Sequence, residues 1–389
     1  MTVNLTKPGL ANLRRAAARH VARDQVPGLV ALVASGDQVH VETLGTLAVG
    51  GPPMQRDTLF RIASITKPVT GAATLALIEE GLIGLDEPID RLLPELAGRR
   101  VLTRLDASLD DTVPAHRAIT TRDLLTFTFG FGMVAEMFTA PKPWPIQAAE
   151  DELQLGALGA PDPAHKPDPD TWLARFGSLP LMAQPGERWM YNTGALVLSV
   201  LLARAAGQPF GDVLQTRIFE PLGMQNTAFW TSEAARLATA YAARPAGLVV
   251  ADPPHGAWSK PPAFEDGAAG LLSTVDDLYA FARMLLTGGA PVLAPESVAA
   301  MTIDQLTPQQ KAHGGLGPGF FSRQSWSYCQ AVRDTGAFGW DGGYGSTWLV
   351  DPARDLVVIV QTQRLFDSPG PPPVHRDIQA AAYAALADS

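Results

Sequence analysis

The sequence predicts an α+β fold: an antiparallel sheet built from both chain ends and flanked by terminal helices, with a mostly helical region inserted between them. Three observations predict it. Apolar residues at helical spacing open and close the chain, and β-rich runs bounded by turn residues lie just inside each end. The long middle holds helix-period segments separated by loops rich in proline and glycine.

Leu10, Leu13, Ala17 and Val21 share one helical face, so the opening helix runs to about Arg23 and stops before Pro27. Gly28–Ser35 and Val39–Leu44 surround the turn residues Gly36 and Asp37 and read as a hairpin. Val69–Glu80, Thr121–Thr126, Ala195–Ala206 and Val275–Leu286 read as amphipathic helices. The loops Pro141–Pro145, Ala160–Pro169, Ala251–Pro262 and Gly314–Gly319 are expected to act as lids or pocket walls. Near the end, Ser346–Val350 and Leu356–Thr362 flank the turn Asp351-Pro352-Ala353-Arg354, and Val374–Leu386 is helical again. The expected organisation is one domain, 1–389, with a sheet lobe of residues 1–63 and 255–389 and a helical lobe of residues 64–254. Neither an internal repeat nor a long low-complexity segment interrupts it.

With 46% hydrophobic and 18% charged residues, the chain has ample apolar material to bury and should fold by itself. Its net charge of −9, with lysines and arginines scattered rather than striped, argues against a nucleic-acid or anionic-membrane partner. The single cysteine, Cys329, excludes an internal disulfide and reads as a small buried hydrophobe. The seven histidines show no ligand spacing, so no metal and no cofactor are expected. The N-terminus has no apolar core of signal-peptide length, and no apolar run reaches ~18 residues. A cytoplasmic location is therefore expected, and homo-oligomerisation is left open.

In Phe60-Arg61-Ile62-Ala63-Ser64-Ile65-Thr66-Lys67-Pro68, a proline suited to a first helical turn places a helix start close to Ser64. Residues three apart on a helix share a face, which sets the Lys67 amine beside the Ser64 hydroxyl. Free N–H groups and the positive end of the helix dipole favour negative charge there. A serine hydroxyl needs a neighbouring base to attack, and a lysine serves only if burial or nearby positive charge lowers its pKa. No other serine has lysine three residues on; the plain alternative is a capping serine and a solvated lysine.

Tyr191 follows the turn Pro185-Gly186-Glu187 and precedes the 195–206 helix, so it sits at a helix entrance. A phenol there can pass a proton to a leaving group, or simply be a buried tyrosine with a structural hydrogen bond. Phe338-Gly339-Trp340-Asp341-Gly342-Gly343-Tyr344-Gly345 leads into a strand, and its glycines let backbone approach a substrate closely. The N–H groups of Ser64 and Gly343 are the candidate oxyanion donors; the alternative is an ordinary glycine-rich β-turn.

Together these elements resemble the serine β-lactamase-like superfamily, most closely the class C β-lactamases and the family VIII carboxylesterases. Asp57-Thr58-Leu59-Phe60-Arg61-Ile62-Ala63-Ser64, Leu82-Ile83-Gly84-Leu85-Asp86-Glu87-Pro88-Ile89, Ile119-Thr120-Thr121-Arg122-Asp123-Leu124-Leu125-Thr126, Pro185-Gly186-Glu187 and Phe219-Glu220-Pro221-Leu222-Gly223-Met224 carry the likeness in order along most of the chain. The resemblance implies acylation of Ser64, Lys67 and Tyr191 as general base and acid, and a pocket bordered by Trp340-Asp341-Gly342. Two departures matter. Tyr191-Asn192-Thr193 stands where β-lactamases have Tyr-x-Asn, putting Thr193 at the amide position. Trp340-Asp341-Gly342 stands where they have Lys-Thr-Gly, losing the cation for a β-lactam carboxylate and setting Asp341 where it would repel one.

Aromatic replacement of that lysine looks like the esterase branch, which implies uncharged short-chain ester substrates. Phe127, Phe129, Phe131, Met133, Met137, Phe138 and Trp144 are candidates for an apolar acyl pocket, with plain core packing as the alternative. A rival enzyme reading keeps the serine but cleaves amides, as a β-lactamase or D-amino-acid peptidase. A rival of another class is a non-catalytic penicillin-binding-like protein. The chain has no Gly-x-Ser-x-Gly elbow, and Gly314–Gly319 does not lead from a strand into a helix as a phosphate cradle would.

Overall fold

The structure, a computed structural model, describes residues 4–312, 325–368 and 370–387. The predicted loop Gly314–Gly319 lies outside them.

Seven strands form one antiparallel sheet in the order Gln38–Gly45, Gly28–Ser35, Leu356–Thr362, Ser346–Asp351, Phe338–Gly342, Ala331–Val332, Ser325–Trp326. Both chain ends therefore build it, as the sequence predicts. The first strand pairs with the last in register Leu29↔Thr362 through Ser35↔Leu356. Both strands are buried along their whole length because both faces are covered, and apolar residues dominate them. Leu29, Ala31 and Val33, with Leu356, Val358 and Val360, meet Leu13 and Ala17 of the helix Lys7–Ala22 and Ile378 and Ala382 of the helix Pro373–Tyr383. The alternate residues Val30, Leu32, Val357 and Ile359 enter the main core. There the helix Val275–Leu286 packs on the sheet, with Phe281 against Trp348 at 5.6 Å between ring centroids and the Trp348 indole donating to Leu278 O at 3.2 Å.

The helices Thr66–Glu79 and Thr193–Ala206 pack together at the centre of the helical region. Both were expected to be amphipathic, and the structure corrects this: every residue from Thr66 to Leu77 and from Thr193 to Leu202 is buried. The sheet side, the short helices Thr121–Leu125 and Phe210–Leu214 and the surrounding loops leave neither helix a solvent face. The inserted region also contains two small hairpins without a clear signature in the sequence, Arg100–Leu102 with Thr112–Pro114 and Ala240–Arg244 with Gly247–Asp252. Among the described residues no single helix is long and apolar enough to cross a membrane.

Candidate active site

Ser64 sits in a tight 3₁₀ turn, Ala63–Ile65, that runs directly into the helix Thr66–Glu79. The preceding residue, Ala63, has φ +44°, a left-handed conformation that a residue with a Cβ holds only when its surroundings enforce it. The enforcement is visible at Gly342. A Cβ there would lie 2.1 Å from the Ile62 carbonyl oxygen, so only glycine lets the strand Phe338–Gly342 lie against the turn carrying Ser64. Gly343, an exposed residue, follows directly on the end of that strand. A Cβ added at Gly343 would meet nothing within 4 Å, while Gly345 N donates to Gly342 O at 2.9 Å and Phe366 N to Gly343 O at 2.8 Å. The turn is thus pinned on its carbonyl side.

Lys67 Nζ lies 3.0 Å from Ser64 Oγ and donates to the Ala268 carbonyl at 2.7 Å. The side chain has no solvent exposure, and burial is the main cause that lowers its pKa to about 7, against the opposing pull of Asp266. The solvated alternative for this lysine is thereby ruled out. Tyr191 completes the cluster: its ring lies 4.6 Å from Lys67 Nζ, and its phenol hydrogen-bonds Ser64. Burial pushes the phenol well above its ordinary pKa, so it stays protonated at neutral pH. Asn192, immediately after it, has φ +85°, and its amide donates to Ala157 O at 3.1 Å.

Trp340, expected at the border of the pocket, lies against the Tyr191 ring. Its indole Nε1 donates to Tyr191 Oη at 3.0 Å, so its polar atom is committed to the phenol rather than to a substrate. The phenol oxygen accepts there, and the same phenol also hydrogen-bonds Ser64. Alternation along the strand turns Asp341 to the opposite sheet face. Its cross-strand neighbour Thr347 accepts from Gln379 of the C-terminal helix at 3.0 Å, which locates that face beneath the terminal helices. The repulsion expected of Asp341 toward a substrate carboxylate therefore has no direct geometry behind it.

The pocket candidates separate by burial. Phe127 and Phe129 have no exposed surface, so neither lines an open acyl pocket as expected. Phe129 packs against Phe176 at 6.3 Å in the helical core, and Phe131 meets the same ring edge-on at 4.9 Å. Phe127 instead packs at 6.0 Å on Tyr191 and at 4.9 Å on Trp326. Thr193 is also fully buried, its hydroxyl donating to Ala157 O at 3.2 Å. Met137 is buried, Met133 and Trp144 are partly exposed, and Phe138 projects into solvent.

Phe127, Trp189, Trp326 and Trp340 together surround the Tyr191 ring. Trp189 was readable from its place two residues before Tyr191. Trp326 gave no signal at all, since only sheet pairing brings it near. Cys329 is a free, buried thiol whose pKa burial drives upward, consistent with a packing role. Among the described residues no group of histidine, cysteine, aspartate or glutamate side chains could hold a metal ion.

Sheet, terminal helices and inserted helices define the architecture shared by serine β-lactamases and penicillin-binding proteins. The chain belongs to the Beta-lactamase family, whose model matches residues 13–383. It is 39% identical over 339 residues to Protein Rv1367c of Mycobacterium tuberculosis, covering 82% of this chain and 80% of that one. It is 30% identical over 370 residues to Esterase EstB of Burkholderia gladioli, covering 87% and 86%. In three dimensions it matches EstCE1, described as a hydrolase with promiscuous acyltransferase activity, with a TM-score of 0.80 at 24% identity over 96% of this chain and 98% of that one. This is a β-lactamase-fold serine hydrolase family with esterase and acyltransferase relatives.

Proposed function

We propose that the protein is a carboxylesterase that cleaves short-chain esters of uncharged character through an acyl-enzyme on Ser64. The observation that carries this reading is the 3.0 Å approach of a fully buried lysine amine to the serine hydroxyl, with burial lowering its pKa to about 7 so that a large share of it is neutral at pH 7. Neutral Lys67 accepts the Ser64 proton as Oγ attacks the ester carbonyl. The N–H groups of Ser64 and Gly343 face the developing oxyanion, a contribution on the order of 10²–10³ in rate for each donor. Collapse of the tetrahedral intermediate expels the alkoxide, which takes a proton from Tyr191; the phenolate recovers it from the Lys67 ammonium formed in the attack, which leaves Lys67 neutral for the second step. Water then attacks the acyl carbonyl, its proton passing to the same base, and Ser64 leaves as the free hydroxyl.

The phenol's high pKa supports this division of labour, since a group that keeps its proton suits the acid and not the base. The aromatic residue at position 340 favours esters over β-lactams. Trp340 supplies no cation for a β-lactam carboxylate, and its donor is already engaged.

Hydrolysis of a nitrophenyl butyrate and of a chromogenic cephalosporin by the same preparation tests the reading. A dominant ester rate is expected, with a single acyl or fluorophosphonate adduct on Ser64 by mass spectrometry. Ser64→Ala should remove turnover with the fold retained by circular dichroism. A cephalosporin rate exceeding the ester rate, or several per cent of residual turnover in Ser64→Ala, overturns it.

A further inference from the structure

The cluster around Ser64 leaves one buried ion pair without a part in the chemistry. Lys166 and Asp266 meet at 2.6 Å with side-chain exposures of 2% and 5%, a hundred residues apart in sequence. Burying two charges is costly, and such a pair is weak evidence of stabilisation in itself. Its surroundings indicate what it does.

Asp266 Oδ1 accepts from the N–H groups of Ala268 at 2.8 Å and Ala269 at 3.0 Å, while Lys166 holds Oδ2. The carboxylate thus folds the backbone of 266–270 into a fixed loop. Gly267 is clamped inside it: its N–H donates to Ser199 Oγ at 2.8 Å, and its carbonyl accepts from Thr70 Oγ1 at 2.7 Å. A Cβ at Gly267 would lie 2.6 Å from Ser199 Oγ. The product of this loop is the Ala268 carbonyl, the acceptor that holds Lys67 Nζ beside Ser64. On the other side, the Lys166 stem lies against Gly156, where a Cβ would sit 3.1 Å from Cε. The next residue, Ala157, receives Asn192 and Thr193 through its carbonyl. The 156–166 segment therefore touches the settings of both Lys67 and Tyr191.

We infer that Lys166 and Asp266 are positioning residues for Lys67, fixing the Ala268 carbonyl that holds its amine beside Ser64 and placing a pair of opposed charges behind it. This rests on the acyl-enzyme reading above. The charged and titratable groups acting on Lys67 are Asp266, which holds its proton on, Lys166, which drives it off, and Cys329; Ser64 and Tyr191 bracket the amine itself. Glu150, buried and bonded to Ala157 N, is the further acid facing Lys166.

The two partners therefore predict opposite effects. In Lys166→Met the unopposed Asp266 charge keeps Lys67 protonated to higher pH, and the acidic limb of kcat/KM for the nitrophenyl ester should rise by about 1 pH unit. In Asp266→Asn the unopposed Lys166 charge discharges Lys67 earlier, and the limb should fall by a similar amount. The double variant should return the limb toward the wild-type position. A role in folding alone would lower kcat in both single variants with the limb unmoved, and that result, or shifts of the same sign, overturns the inference. Should Lys166→Met fail to fold, Asp266→Asn, which keeps an acceptor for the two amides, decides alone: a limb that stays or rises overturns it. Turnover surviving in Ser64→Ala would instead overturn the acyl-enzyme reading; Ser64 dependence with unmoved limbs would overturn only the roles of Lys166 and Asp266.

Discussion

Replacing Lys67 with methionine should make the protein more stable while disabling it. The amine has no exposed surface, and burial lowers its pKa from 10.5 to about 7. At ~1.36 kcal/mol per unit, this difference corresponds to about 5 kcal/mol opposing the folded state wherever the unfolded lysine is charged and the folded one must also carry its proton. Two groups lose a partner on substitution, Ser64 Oγ and the Ala268 carbonyl, at about 1 to 2 kcal/mol each. Methionine refills most of the volume. The net expectation is a gain of about 1 to 3 kcal/mol, with the ester rate falling by roughly 10²–10⁴ through loss of the base.

The sign with pH is specific. Between pH 7 and about 10.5 the unfolded chain binds more protons at this site than the folded one, so wild-type stability climbs with pH across that window. Below pH 7 the penalty is complete and the variant's advantage greatest; above 10.5 it disappears. Urea unfolding at pH 6 and pH 9, followed by tryptophan fluorescence, measures both. A Lys67→Met protein that is less stable than wild type at pH 6, or whose difference from wild type does not shrink by pH 9, would refute the claim that burial lowers the pKa of this amine to about 7.

Two further expectations concern the strand beside Ser64. Trp340→Phe keeps an aromatic ring against Tyr191 but removes the indole donor at 3.0 Å, so kcat for the ester should fall about tenfold, the rate equivalent of one hydrogen bond of ~1.4 kcal/mol, with little change in thermal midpoint; an unchanged kcat would show that the indole does not orient the phenol. Gly342→Ala drives a methyl to 2.1 Å from the Ile62 carbonyl, so the strand must part from the Ser64 turn; stability should fall by about 1 to 3 kcal/mol and fluorophosphonate labelling of Ser64 should slow, whereas wild-type labelling would refute the close approach.

Much of the architecture was legible in the chain because its signals are local. The strands 28–35 and 356–362 are dominated by apolar residues because both of their faces are covered, and the breaks at Gly36-Asp37 and Asp351–Arg354 mark their turns. The three-residue spacing of Ser64 and Lys67 is also local, since a helical turn alone sets them side by side. The amphipathic reading of 69–80 and 195–206 failed for the opposite reason: a helix with small and apolar residues all round takes its exposure from its neighbours, not from its own period.

The roles of individual side chains at the site could not be read that way. Residue type at position 340 pointed to a pocket wall, yet strand alternation and the location of the phenol commit its indole to Tyr191 and turn Asp341 to the far face. Phe127 and Phe129 look alike in sequence, two residues apart, and only packing sends one to Tyr191 and the other to Phe176. Spacing and hydrophobic period, then, were enough to set out the strands, the helices and the serine with its lysine, because each depends on neighbours within a few residues. The titration of that lysine, and the pairing of Lys166 with Asp266 behind it, arise from desolvation and contact between segments a hundred residues or more apart, which come into being only when the chain is folded.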